Sequence, residues 1–143
     1  MKNKTLFENF VAFTSAVHQV TNDMTKEVKS DTITPVQYKI LEFITISSHV
    51  TLSGISNCLN ISMPNASREL KKLYDAELCE KAPNSNDRRK QFIHLTSKGE
   101  QMMNESFKII ETRFNKRMEN VTQEEKEEIN QAIEILQKKI FYN

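Results

Sequence analysis

The chain has 143 residues, 38% of them hydrophobic and 27% charged, with a formal net charge of +1. A domain of this length buries roughly 70% of the surface its unfolded chain exposes, so a packed core needs neither disulfides nor a metal. No apolar run approaches the ~20 residues that span a bilayer, the even spread of apolar residues argues against disorder, and two glycines with three prolines are too few for the many tight turns of a sandwich or barrel.

Lys2 and Lys4 precede an apolar stretch, faintly as in a signal peptide. Glu8 and Asn9 interrupt it, and its apolar residues keep helical spacing, so the segment reads as mature protein. Leu6, Phe10, Phe13, Val17, Val20, Met24 and Val28 form one stripe of an amphipathic helix over about 4–29, broken at Ser30-Asp31-Thr32. Thr34-Pro35-Val36-Gln37 is a helix start: Thr34 caps, Pro35 needs no N–H partner in the first turn, and Gln37 completes a capping box. That helix runs to about Ile46 with Ile40, Leu41 and Ile44 inward, and Ser47–Val50 form a loop. Thr51 opens a short helix to Leu59, and Asn60 suits a left-handed turn. Ser62 caps the next helix, Met63 to about Asp75, with Ala66, Leu70 and Leu73 inward.

Leu78–Ala82 and Gln91–Leu95 read as the two strands of a hairpin around the turn cluster Pro83–Asp87. The inward face of the returning strand is not settled by its pattern. Thr96 opens a long helix to about Asn120 with Met103, Phe107, Ile110 and Phe114 inward. Thr122-Gln123-Glu124-Glu125 is a further capping box, and the last helix buries Ile129, Ile133, Leu136 and Ile140. The expected fold is mainly α with a small two-stranded β wing. Residues 34–99 form a winged helix-turn-helix, and residues 1–33 and 100–143 supply flanking helices within a single domain.

Nothing in the chain has the spacing of an active site. There is no phosphate-cradling glycine loop, no G-x-S-x-G, and no H-E-x-x-H or C-x-x-C. His18, His49 and His94 lie on separate elements, and Cys58 and Cys79 read as reduced core thiols, with Cys58 on the packing side of its helix. Glu124–Glu128 complement a helix N-terminus and need no catalytic role. The expectation is a cytoplasmic protein that is not an enzyme and takes neither cofactor nor metal.

Charge is more informative than its total. Residues 1–61 are neutral, residues 62–98 carry net +3, and residues 99–143 carry net −2. The helix from Met63 follows a short helix through a three-residue turn, as in a helix-turn-helix. Its outward side carries Pro64, Asn65, Ser67, Arg68, Lys71 and Lys72. Asn65 and Ser67 are short enough to let a helix lie deep in a major groove and bond base edges. Asp87, Arg88, Arg89 and Lys90 make a cationic hairpin tip, and a guanidinium there fits a narrow minor groove.

Thr51–Gly99 resembles the MarR family of bacterial transcriptional regulators. Asp87-Arg88-Arg89 matches the family's D-x-R wing, Leu95-Thr96-Ser97-Lys98-Gly99 its L-T-x-x-G, and Ala66-Ser67-Arg68 with Leu70 and Leu73 its recognition helix. The resemblance implies a homodimer on a palindromic double-stranded DNA operator, with N- and C-terminal helices intertwined. It also implies a repressor released by a small phenolic or lipophilic effector, with no membrane partner. Phe10, Phe13 and Val17 from one end and Ile133, Leu136 and Ile140 from the other are the expected dimer interface. Arg89 would enter the minor groove, Arg88 and Lys90 would meet phosphates, and Asp87 would hold the arginine fork. The competing reading, a winged-helix protein-interaction module without DNA binding, has no use for the cationic tip.

The chain departs from the family at Glu77, where glycine commonly follows the recognition helix; a rearranged helix end is the expectation there. The first helix has no cysteine, so the resemblance does not reach the peroxide-sensing branch, and the scattered histidines do not support the zinc-sensing one.

Overall fold

The computed structural model describes residues 4–28, 33–82 and 91–142. The chain divides into two compact units, Met1–Ile110 and Glu111–Asn143. The first contains α1 (Leu6–Thr25), α2 (Pro35–Ile46), α3 (Leu52–Leu59), α4 (Met63–Asp75), β1 (Cys79–Lys81), β2 (Ile93–Leu95) and most of α5 (Ser97–Arg117). The second holds the end of α5, α6 (Gln123–Leu136) and a π-helical turn over Gln137–Phe141. No helix among the described residues is long and apolar enough to cross a membrane.

The core lies between residues 38 and 103. Ile40, Leu41, Ile55, Leu73, Leu78 and Met103 are its largest fully enclosed side chains. Each such Ile, Leu or Met contributes ~1.5–3 kcal/mol by leaving water. They come from α2, α3, α4, the turn before β1, and α5, so the helix-turn-helix is packed from behind by α2 and α5.

Helix starts are where the sequence places them. Thr5, Thr34 and Thr122 each close a capping box, with Glu8, Gln37 and Glu125 respectively. Bonds with Thr122 hold the Glu125 carboxyl below its ordinary pKa. Thr51 caps α3 through Gly54 N–H at 3.1 Å, and Ser62 caps α4 through Asn65 N–H at 3.2 Å. The π turn at the end of α6, with Tyr142 N–H donating to Gln137 O at 2.9 Å, has no signal in the sequence.

β1 and β2 pair antiparallel with Cys79 opposite Leu95, Glu80 opposite His94 and Lys81 opposite Ile93. Val50, expected in a loop, forms a bridge to Ile93, which donates its N–H to Val50 O at 2.8 Å. That bridge settles the face of β2: Ile93 and Leu95 turn to the core, and His94 meets Glu80 at 2.8 Å on the other side.

Four expectations are corrected. Cys58 is exposed, because Leu52, Ile55, Ser56 and Leu59 occupy the inward face of α3 and leave Cys58 on its flank. Only Cys79 is a core thiol, its pKa pushed up to about 12 by burial. Phe114 is 46% exposed, because α5 outruns the core after Phe107. Within one chain α6 buries no residue: Ile129, Ile133 and Ile140 are exposed and Leu136 is half-buried. Glu77 is left-handed at φ 61°, so the end of α4 is not rearranged to avoid that conformation.

Candidate nucleic-acid interface

Two turns determine how α4 is presented. The first joins α3 to α4. Asn60 adopts φ 54° and ψ 48°, a conformation that asparagine tolerates better than most residues. Ile61 N–H then reaches Ser56 O at 3.1 Å, and the Ser56 hydroxyl donates to Ile61 O at 2.6 Å. Ser56 is buried, so this reciprocal pair sets the angle between the helices where water does not compete. In the sequence Ser56 carries no motif, and only its place on the inward face of α3 hints at the role.

The second turn ends α4. Leu78 N–H donates to Leu73 O and Glu77 N–H to Tyr74 O, both at 3.0 Å, which is a Schellman motif with Glu77 at its left-handed position. The start of α5 is bonded to this turn. Thr96 N–H donates to Leu78 O at 3.1 Å, its hydroxyl to Glu77 O at 2.6 Å, and Lys98 Nζ to Ala76 O at 3.1 Å. Gly99 N–H donates back to the Thr96 hydroxyl at 3.0 Å. A Cβ on Gly99 would stand 2.2 Å from Leu78 O. The Thr96–Gly99 sequence therefore caps α5 and lets it approach the end of α4 closely.

Roll about the axis of α4 is restrained from α2. Gln37 serves as more than a cap: its Nε2 donates to Glu69 Oε2 at 2.9 Å while its Oε1 accepts from Thr34 N–H at 3.0 Å. Ala66, Leu70 and Leu73 are buried, as expected. Pro64, Asn65, Ser67, Arg68, Lys71 and Lys72 are all exposed. Arg68 Nη2 donates to Asn65 Oδ1, so these two side chains form a unit, and Lys72 lies 3.5 Å from Glu69 on the flank nearer α2. Asp87, Arg88, Arg89 and Lys90 lie outside the described residues. The strands leading to them are joined by Ala82 N–H to Phe92 O at 2.8 Å.

Phe10 and Phe13 on α1 have ring centroids 6.5 Å apart, and Phe13 and Val17 are more than two-fifths exposed. Ile133, Leu136 and Ile140 belong to the second unit. Cavities open among the described residues of the first unit, two of which bear on the site. One of about 500 Å³ is lined by Thr45, Ser47, His49, His94, Glu100 and Asn104 among others. The other, about 330 Å³, lies between α4 and the hairpin. Among the described residues no group of three or more His, Cys, Asp or Glu stands together as a metal site.

A three-helix core with a helix-turn-helix and an antiparallel hairpin behind its second helix is a winged helix-turn-helix. The MarR family model matches residues 33–90. The fold extends well beyond the matched region. A MarR family protein from Bacillus stearothermophilus superposes with a TM-score of 0.78 at 16% identity, over 99% of each chain. Staphylococcus aureus MarR, solved with salicylate and kanamycin, gives 0.67 at 25% identity over 94% of each chain. A mutant of S. aureus MepR bound to an oligodeoxyribonucleotide gives 0.58 at 18% identity, over 94% of this chain and 96% of that one. No curated protein matches the chain.

Proposed function

We propose that the protein is a homodimeric, sequence-specific DNA-binding transcriptional regulator of the cytoplasm, acting as a repressor that a small phenolic or lipophilic molecule releases. The observation that carries the reading is the outward face of α4. Five exposed residues, Pro64, Asn65, Ser67, Arg68 and Lys71, stand on the second helix of a helix-turn-helix whose roll is held by Gln37 and Glu69. Short polar side chains beside one guanidinium suit base edges in a major groove, with Pro64 making apolar contact near the helix start. The Arg68–Asn65 bond holds that guanidinium in a limited set of positions before DNA arrives.

Arg89 enters the minor groove, Arg88 and Lys90 neutralise flanking phosphates, and Asp87 orients the arginines; the D-x-R pattern is the basis. Dimerisation answers the apolar residues that one chain leaves wet: Phe13 and Val17 on α1, Ile133 and Ile140 at the other end. Two recognition helices about 34 Å apart would then read the halves of a palindrome on one DNA face. The oligonucleotide complex of the MepR mutant and the salicylate complex of S. aureus MarR support DNA and effector as partner classes.

The test is an operator-shift assay on duplexes selected from random sequence by the wild-type protein. Arg89→Ala is expected to weaken binding strongly without loss of the dimer. Arg68→Ala should cost about 1–3 kcal/mol and relax preference at one operator position. Binding is also expected to weaken as salicylate is titrated in. A wild-type protein that selects no sequence, or an Arg89→Ala variant within twofold of wild type at physiological salt, refutes the assignment.

A further inference from the structure

We propose that the hollow between α4 and the hairpin seats one phosphate of the DNA backbone, gripped jointly by Lys71 of α4 and Lys81 of β1. The inference rests on the DNA-binding reading and adds to it a residue, Lys81, that the helix-turn-helix does not contain.

The hollow has a volume of about 330 Å³ and is shared by Leu52, Ser67, Leu70, Lys71, Tyr74, Lys81, Gln91 and Ile93. Among the described residues no Asp or Glu lines it. Lys81 and Ile93 are paired across the hairpin and Gln91 is two residues from Ile93, so all three point to one face of the ribbon. Glu80 points to the other face, where it meets His94 at 2.8 Å. The acid next to Lys81 in sequence is thus turned away from the hollow by strand alternation. On the helix side, Ser67 and Lys71 are four apart and share a face of α4.

Three other cations among the described residues are already engaged within the protein. Lys72 is 3.5 Å from Glu69, Arg68 bonds Asn65, and Lys98 donates to Ala76 O. Among the described residues, Lys71 and Lys81 form no ion pair. Two exposed ammonium groups on separate elements face one hollow, with the Ser67 hydroxyl and Gln91 amide as further donors. The floor is apolar, with Leu70 and Ile93 buried and Leu52 half-buried. A phosphodiester has matching chemistry: an anion for the rim and the apolar side of a deoxyribose for the floor. Ser67 belongs both to this hollow and to the face of α4 proposed to enter the major groove, so a backbone following that groove passes here.

A phosphate contact positions the protein and carries no sequence information. Its signature is therefore uniform loss and reduced salt dependence. The assay is fluorescence anisotropy of the full-length protein on its selected operator and on a mismatched duplex, across a potassium chloride series. Lys81→Gln and Lys71→Gln should each weaken binding equally on both duplexes, and together they should lower the slope of log K against log salt by about 0.9. Lys81→Arg should restore the slope. In a scan of operators with single neutral methylphosphonates, one position should weaken wild type yet leave the Lys71→Gln, Lys81→Gln double variant unaffected, which locates the shared phosphate. Thermal melts of each variant exclude misfolding as the cause. A Lys81→Gln protein that folds and keeps both affinity and slope overturns this inference and leaves the DNA-binding reading standing. A wild-type protein that binds neither duplex overturns both.

Discussion

Gly99→Ala isolates the contact that joins α5 to the end of α4. Gly99 does not have a positive φ, so the reason for glycine there is space alone. An added Cβ would lie 2.2 Å from Leu78 O, 3.1 Å from the Leu78 carbonyl carbon and 3.4 Å from Leu95 Cβ. The first is about 1 Å short of ordinary van der Waals contact, and the atom met is backbone, which cannot rotate away. Leu78 O also accepts the Thr96 N–H at 3.1 Å, so moving it weakens a hydrogen bond at the start of α5. Overpacking of this kind costs about 1–3 kcal/mol and the hydrogen bond about 1 kcal/mol, for a loss of about 2–4 kcal/mol in all. In a chain of this length that lowers Tm by roughly 5–15 °C. Differential scanning calorimetry at fixed protomer concentration is the assay, since dimerisation would make Tm depend on concentration. A Tm within about 1 °C of wild type would refute the close-approach argument.

Glu77→Gly should raise stability by up to about 1 kcal/mol in urea denaturation, because Glu77 holds a left-handed backbone that glycine adopts freely; an unchanged or lower midpoint contradicts the Schellman geometry. Tyr38 is buried with no hydrogen-bond partner for its hydroxyl among the described residues, and burial, aided by Glu42, pushes its pKa up to about 12 from 10.0. Its contribution to stability is therefore complete below pH 10 and lost as pH rises from 10 toward 12, where only the unfolded chain gives up the proton. Tyr38→Phe should flatten that alkaline fall in denaturation midpoint, and an identical fall in both proteins would show that Tyr38 does not contribute to it. Replacing Leu136 and Ile140 together with Asp should dissociate the proposed dimer by burying unpaired charge, as read by sedimentation velocity beside the operator-shift assay. A wild-type monomer at micromolar concentration, or a monomeric variant that still binds full operator tightly, removes the architecture.

Helix boundaries were legible because their causes are local. Thr34 with Gln37, Ser62 with Pro64, and Thr122 with Glu125 each satisfy orphan backbone groups within a single turn, so a few neighbouring residues suffice. The inward face of α4 and the left-handed turn at Asn60 follow from helical period and residue type in the same way. The proposed class of site rests on the same kind of signal, since charge spacing and the Thr96–Gly99 pattern are readable without coordinates. Tertiary structure decided what depends on distant partners. The face of β2 awaited Val50, the second role of Gln37 awaited Glu69, and the exposure of Cys58 awaited the packing of Ile55 and Leu59. Glu77 is the clearest case. Its local preference disfavours a left-handed backbone by on the order of 1 kcal/mol, while Leu78 must enter the core and Thr96 must bond the Glu77 carbonyl. Those long-range contacts outweigh a local cost of that size, and only the folded chain reveals that they meet at one residue.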